Sequence, residues 1–327
     1  MNVKKYFVAF LFFICSNFVH SQNSPAYNSA TTTKTQSTSK YNPAQVQNLV
    51  TNLLRDTCLN KKFSIVFYLI QDSINSLPAN LANMNSYSLT LMINRLNTVF
   101  SRICVSFENC KTVIIPNYSY NFWDASDNGM DVLQNWFEPN TINVYFPERL
   151  IGFIPDPIDE GYAFAPPNSN PPISLTSGTI NSGNAIVMAK APSLGALMHA
   201  FGHFFGLQHT FYEINPTAIP SPPPPANATP SISSFEYVDR INLTNCYTHG
   251  DGFCDTEADP YPSMLTTGIP TSTIGCTKTG LKDGKGNYYI PPVSNFMSMY
   301  RECRCYYSQQ QYNYMAYVIW QRRLYLH

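Results

Sequence analysis

Apolar residues in the N-terminal half of the chain alternate between two periods. Phe63-Ser-Ile-Val-Phe-Tyr-Leu-Ile70 is β-branched and aromatic almost throughout, the signature of a largely buried strand. Leu89, Met92, Ile93, Leu96, Val99, Phe100 and Ile103 then recur at helical spacing and form one apolar stripe. Residues from Cys104 to Ile115 read as extended, and Asp127 to Phe137 as a short helix stopped by Pro139. Thr141 to Phe146 and Asn184 to Met188 are two further strands, with Gly161 to Ala165 an edge strand because prolines follow it. Ser193 is placed to cap the next helix. Strands and helices interleave up to that point, which predicts an α/β sheet half with this helix at its edge.

Beyond residue 209 the periodicity is lost. Residues 216–230 are proline-rich, including Pro222-Pro223-Pro224-Pro225, and read as an exposed loop insertion with polyproline character. Cys246 to Cys305 is rich in Gly, Asp, Pro and Cys, so an irregular, disulfide-stapled segment is expected, and Ser308 to Arg323 closes the chain as a helix. At the other end, Lys4 and Lys5 precede the apolar run Tyr6 to Ile14, the pattern of a secretory signal ending near residue 21. The bulky Ile14 before Cys15 argues against lipid attachment there. Residues 22–42 carry almost nothing apolar and cannot offset their ordering entropy, so a disordered leader is expected. The folded domain is then 43–327. With 20 basic and 20 acidic residues in 327, and only 12% charged, no basic stripe points to nucleic acid or anionic lipid. No segment is expected to span a membrane. The aromatic Tyr118, Tyr120 and Trp123 read as packing residues rather than a binding surface.

The candidate chemistry sits in His199-Ala-Phe-Gly-His-Phe-Phe-Gly-Leu-Gln-His209. Histidines at i and i+4 lie on one helix face, about 6 Å apart along the axis, and suit one zinc ion. Gly206 can take the left-handed conformation that ends the helix and returns His209 as a third ligand. This is the long zinc signature H-E-x-x-H-x-x-G-x-x-H with Ala200 in place of the glutamate. Of nine cysteines, eight remain after the signal, and an even number in an exported chain favours disulfides. Cys104 and Cys110 are near enough in sequence to close a small loop.

Two downstream segments extend the pattern. Asn295-Phe-Met-Ser-Met-Tyr300 resembles the methionine turn beneath the zinc of metzincin peptidases, and Gly250-Asp-Gly-Phe-Cys-Asp-Thr256 resembles the G-D-x-x-C-D-T segment of the pappalysins. Together with the histidine motif they make the chain, over roughly residues 60 to 320, similar to a bacterial pappalysin-family protein. The resemblance implies a mixed α/β (α+β) metzincin-like domain: an upper sheet with the active-site helix, and an irregular lower half across a cleft. It implies His199, His203 and His209 as zinc ligands and Met297 as the turn methionine. It implies the disulfides Cys246–Cys303 and Cys254–Cys276, leaving Cys104 to pair with Cys110 and Cys58 with Cys305. Asp251, Asp255 and Thr256 then stand equally as calcium ligands or as turn formers.

Two departures from the family pattern bear on activity. Ala200 stands where the general base belongs, a loss typically costing about 10²–10⁴ in rate. Met299 stands where such peptidases place a tyrosine that stabilises the tetrahedral intermediate; Tyr300 is one residue displaced. A third, Glu257 in place of proline, lies in a loop and says less. A single change at 200 would also fit an engineered knockout, but the second loss at 299 argues for a natural pseudopeptidase. The expectation is a secreted or periplasmic zinc-binding domain that binds a peptide or protein in its cleft without turnover. The alternatives are an active zinc metalloendopeptidase with a substitute base, and a module that zinc merely braces.

Overall fold

The structure is a computed structural model that describes residues 58–71, 86–124, 127–151, 161–163, 184–190, 192–210, 246–247, 250–259, 276, 288–300 and 303–327. The expected signal (1–21), leader (22–42) and proline-rich insertion (216–230), together with His249, lie outside the described residues.

The elements in chain order are β1 (Lys61–Ile70), α1 (Ser86–Phe100), β2 (Val105–Ile115), β3 (Phe122–Asp124), α2 (Asn128–Asn135), β4 (Ile142–Phe146), β5 (Arg149–Ile151), β6 (Gly161–Ala163), β7 (Ala185–Met188), α3 (Leu194–Phe204) and α4 (Gln309–Val318). A π-helical turn, Ile319–Arg323, continues α4. A five-stranded sheet runs β2-β1-β4-β7-β6, parallel except for the antiparallel edge pair β6–β7. The fold is therefore mixed α/β, with the parallel strands that interleaved helices demand.

Alternation along each strand divides the interior into two layers. Phe63, Ile65, Phe67 and Leu69 of β1 join Ile142, Val144 and Phe146 of β4 and Ile186 and Met188 of β7 in the larger core. The intervening Val66, Tyr68, Ile70, Tyr145, Ala185 and Val187 face the other way, against Trp123, Val132 and Leu133. Burial on both faces explains why these strands read as continuous apolar runs. Trp123 is fully buried in the second layer, the packing role expected for it, while Tyr118 is exposed.

The apolar stripe of α1 lies in the larger core, where Phe100 meets Phe107, Phe201 and Phe205 edge to face. This cluster joins α1 and β2 to α3. The three-residue parallel pair β3–β5 carries no periodic signal and was not anticipated from the pattern. Among the described residues no helix is long and apolar enough to cross a membrane.

The disulfides differ from every pairing that the family resemblance and the leftover cysteines suggested. The bonds are Cys58–Cys104, Cys246–Cys254 and Cys276–Cys303, and Cys110 and Cys305 are thiols. Register explains the first. The backbone N–H groups of Leu59 and Lys61 donate to Ile103 and Cys104, which sets Cys58 beside Cys104, with Cα atoms 4.7 Å apart. Cys104–Cys110 cannot close because Val105–Ile115 is one extended strand. Six residues at about 3.3 Å each separate the two sulfurs by far more than a disulfide spans. Cys254 bonds to Cys246 and Cys276 to Cys303, so neither expected lower-half bridge forms, and Cys58 bonds to Cys104 and not to Cys305.

Candidate metal centre

Helix α3 begins where Ser193 Oγ accepts the Ala196 N–H at 3.0 Å. It is apolar nearly all round and buried from Ala196 to Gly202, so its two histidines are held on a rigid, enclosed element. It ends at Gly206, whose φ of 92° is the left-handed turn expected there. Gly206 and Leu207 N–H groups donate to the His203 and Gly202 carbonyls, and the chain then doubles back so that His209 faces the helix.

The three imidazoles converge on one point. His199 Nε2 lies 3.0 Å from His203 Nε2 and 3.2 Å from His209 Nε2, and the remaining edge is 3.1 Å. Four ligands about 2.0–2.1 Å from a tetrahedral zinc stand about 3.3–3.4 Å from one another. Hydrogen bonds fix which nitrogens carry the lone pairs. His199 Nδ1 is 2.6 Å from the Phe296 carbonyl and His203 Nδ1 is 2.9 Å from the Leu207 carbonyl. A carbonyl only accepts, so both δ nitrogens carry the proton and both ε nitrogens present lone pairs. Without a cation these lone pairs would repel. Burial, with the Arg304 guanidinium and the other two rings next in effect, holds the His199 imidazole well below its usual pKa, so it stays neutral and competent as a ligand. Among the described residues this is the one cluster of three or more side chains able to hold a metal ion.

The segment around Met297, expected to be the methionine turn, packs against this helix. The Thr210 N–H donates to the Met297 carbonyl at 3.2 Å, and a Cβ built on Gly202 would overlap Met297 Sδ and press on the Tyr307 ring. Gly202 is thus required by close approach rather than by backbone conformation. Tyr307, fully enclosed, donates its hydroxyl to the Met198 carbonyl.

The positions expected to handle protons hold other chemistry. Ala200 is a buried methyl in the core. Met299 is buried with its sulfur 3.8 Å from Arg304 Nη2, while Arg304 Nε donates to the Ser298 carbonyl at 2.8 Å. Tyr300, the displaced tyrosine, donates its hydroxyl to Asp259 Oδ1 at 3.0 Å, and Thr210 Oγ1 donates to Asp259 Oδ2 at 2.6 Å. Sequence reading missed Asp259, which lies three residues beyond the Gly250 to Thr256 segment.

The calcium candidates are engaged otherwise. Asp251 Oδ1 accepts from the Phe253 N–H and Thr256 Oγ1, and its Oδ2 faces Gln311. Asp255 accepts from Ser308 Oγ and from the Gln310 N–H, at the first turn of α4, where a carboxylate complements the helix dipole. These are turn-forming and capping roles, and nothing in the structure supports calcium there. A buried guanidinium also escaped notice: Arg323 stacks 3.6 Å from the Phe204 ring centroid and donates to the Phe204 carbonyl at 2.8 Å, closing the C-terminal end of α3.

No protein-family model and no curated protein matches the chain. Among solved structures it is similar to mirolysin in complex with a compound (12% identity over 78% of this chain and 90% of that one, TM-score 0.45). It is also similar to mature mirolysin of Tannerella forsythia with a cleaved peptide (12%, 78% and 89%, TM-score 0.44). Archaemetzincin from Methanopyrus kandleri is more distant (14%, 45% and 76%, TM-score 0.28).

Proposed function

We propose that this chain is an exported, zinc-binding, pappalysin-like member of the metzincin type that has lost most or all peptidase activity and acts by binding a peptide or protein ligand. The observation that carries the reading is the convergence of three histidine ε nitrogens, two with their tautomers fixed, on one point, in a motif that has alanine and not glutamate at position 200.

A zinc ion held by three imidazoles would leave one position open and polarise a water there. The residues around it do the rest of the work in an active enzyme, and here they do not. Alanine at 200 can neither take a proton from that water nor return it to a leaving amine. Met299 offers a thioether with no donor, and the Tyr300 hydroxyl is committed to Asp259, so neither supports a developing oxyanion. A substitute base could be another carboxylate or a group of the substrate itself. Asp259 sits beside the third ligand's neighbour Thr210, but both its oxygens already accept hydrogen bonds. Export is supported by the charged and apolar run in residues 1–21, and peptide or protein binding by the family resemblance.

The test is hydrolysis of a panel of unfolded proteins by the purified chain, alongside its zinc content. One bound zinc and no chelator-sensitive cleavage are expected. Chelator-sensitive turnover at the rates of active metallopeptidases would overturn the reading. Restoring Ala200→Glu together with Met299→Tyr tests whether these two positions account for the loss, with a gain of about 10²-fold or more expected from the base alone.

A further inference from the structure

The peptide group between Phe296 and Met297 belongs to the metal centre on one side and to a buried polar chain on the other. Its carbonyl accepts from His199 Nδ1 at 2.6 Å, and its N–H donates to Asn295 Oδ1 at 2.8 Å. Asn295 Nδ2 donates to Gln311 Oε1 at 2.8 Å, which also takes the Ser308 N–H at 2.9 Å. Gln311 Nε2 then faces Asp251 Oδ2 at 3.4 Å, whose other oxygen takes the Phe253 N–H and Thr256 Oγ1. Asn295, Gln311 and Asp251 are all buried.

The direction of this chain is fixed. Backbone N–H groups can only donate, so Met297 sets the orientation of the Asn295 amide and Ser308 that of the Gln311 amide. Every group therefore donates toward Asp251, which accepts at both oxygens and does so best as a carboxylate. Each amide that donates makes its own carbonyl a better acceptor, so the polarisation is additive along the row. We infer that Asp251 is a positioning residue for the metal centre, serving His199 as its carboxylate partner at a distance through Gln311, Asn295 and the Phe296–Met297 peptide. Histidine ligands commonly receive such support from a carboxylate in direct contact; here three amide units intervene. The assignment rests on the reading that the three histidines hold a metal.

Protonating Asp251 would set a donor against the Gln311 amide and break the row at its anchor. Burial pushes this carboxyl up to about 7, and the nearby Asp255 carboxylate pushes in the same direction. Phe253, Thr256 and Gln311 present only neutral groups to it. The row is therefore intact above neutrality and weakened below it.

The test measures the zinc dissociation constant of the full chain by chelator competition, and the cobalt(II) absorption spectrum, from pH 8 to pH 6. In Asp251→Asn the Phe253 N–H holds the side-chain oxygen, so the amide NH₂ faces Gln311. Affinity at pH 8 should fall about tenfold, the lower end of the range for outer-shell partners, and the extra loss between pH 8 and 6 should vanish. Asp251→Asn combined with Gln311→Glu restores every donor and acceptor with the charge moved one link. Its affinity should return to within about threefold of wild type, with the wild-type cobalt spectrum. Absence of metal from the wild-type chain would overturn both this assignment and the metal reading. Wild-type binding with Asp251→Asn unchanged would overturn the assignment alone. So would a tenfold loss in the double variant, which compares directly with wild type even where the single variant does not fold.

Discussion

On one face of α3 lie the parallel strands and α1, packed through rings such as Phe100, Phe107, Phe201 and Phe205. At Met297 and Tyr307 the helix meets a second region, the described residues 246–247, 250–259, 288–300 and 303–308, which includes an isolated bridge between Asn295 and Tyr306 but no named strand, and where order comes from side-chain hydrogen bonds to the backbone. The first region is specified by how much apolar surface each position hides, a quantity that repeats every two or 3.6 residues. The second is specified by which donor meets which acceptor, which does not repeat. The metal centre draws on both: rigidity of the helix from the first, tautomer and orientation from the second.

The comparison can be broken most forcefully on the apolar side. Phe100→Ala should cost about 3–5 kcal/mol, since the ring is fully buried and touches Phe107, Phe201, Phe205 and Tyr307. Denaturant unfolding of the metal-free chain measures it. A loss below about 1 kcal/mol would mean that the sheet side is loosely packed and that the contrast is overstated.

The next effect belongs to the polar side and has an unusual sign. Asp251 has a folded pKa near 7, raised from 3.8 by burial. Between those values the unfolded chain gives up its proton while the folded one keeps it, so this group's contribution to stability is lost as pH rises from about 4 to 7. The upper bound is about 4 kcal/mol. Unfolding of wild type and Asp251→Asn across that range should show the wild type losing ground as pH rises. The reverse slope would mean that the carboxylate is stabilised by its donors more than burial penalises it.

This contrast also explains what could be read from the sequence. The strands at 61–70, 142–146 and 185–188, helix α1 and the histidine helix were legible because each hides a periodic apolar face. The candidate ligands were legible because three histidines at fixed offsets are chemistry written in one local segment. β3 and β5 were not, being three residues each with no period to detect. Nor was the disulfide pairing, since it depends on register: Cys58 meets Cys104 because Lys61 pairs with Val105. Asp251 and Asp255 looked alike as acidic loop residues, yet one is buried beneath Gln311 and the other caps α4. Nothing local distinguishes a ligand carboxylate from a capping one.

Gly202 is where the two regions touch, and a methyl there tests the seam. Gly202→Ala must displace Met297 Sδ or the Tyr307 ring, so overpacking should cost about 2 kcal/mol despite the better helix propensity of alanine. The thioether is flexible, so relief by a rotamer change of Met297 would show as a smaller loss with an altered cobalt spectrum.

The smallest effect separates the two sides most cleanly. Ser193 and Ser308 both cap helices, and removing either hydroxyl should cost about 1 kcal/mol. Ser193 Oγ caps its own helix, accepting the Ala196 N–H at 3.0 Å. Ser308 Oγ also donates to Asp255 at 2.7 Å, and its backbone N–H is the group that orients the Gln311 amide. The Ser308 cap is therefore part of the polar row. Ser193→Ala should lower stability and leave zinc affinity unchanged, because the other turns of α3 are held by burial from Ala196 onward. Ser308→Ala should lower stability by at least as much and weaken zinc about two- to threefold, as the first turn of α4 loosens around Gln311. Equal effects of the two substitutions on zinc affinity would show that the metal centre senses global stability alone, and the division between the two sides of α3 would fail.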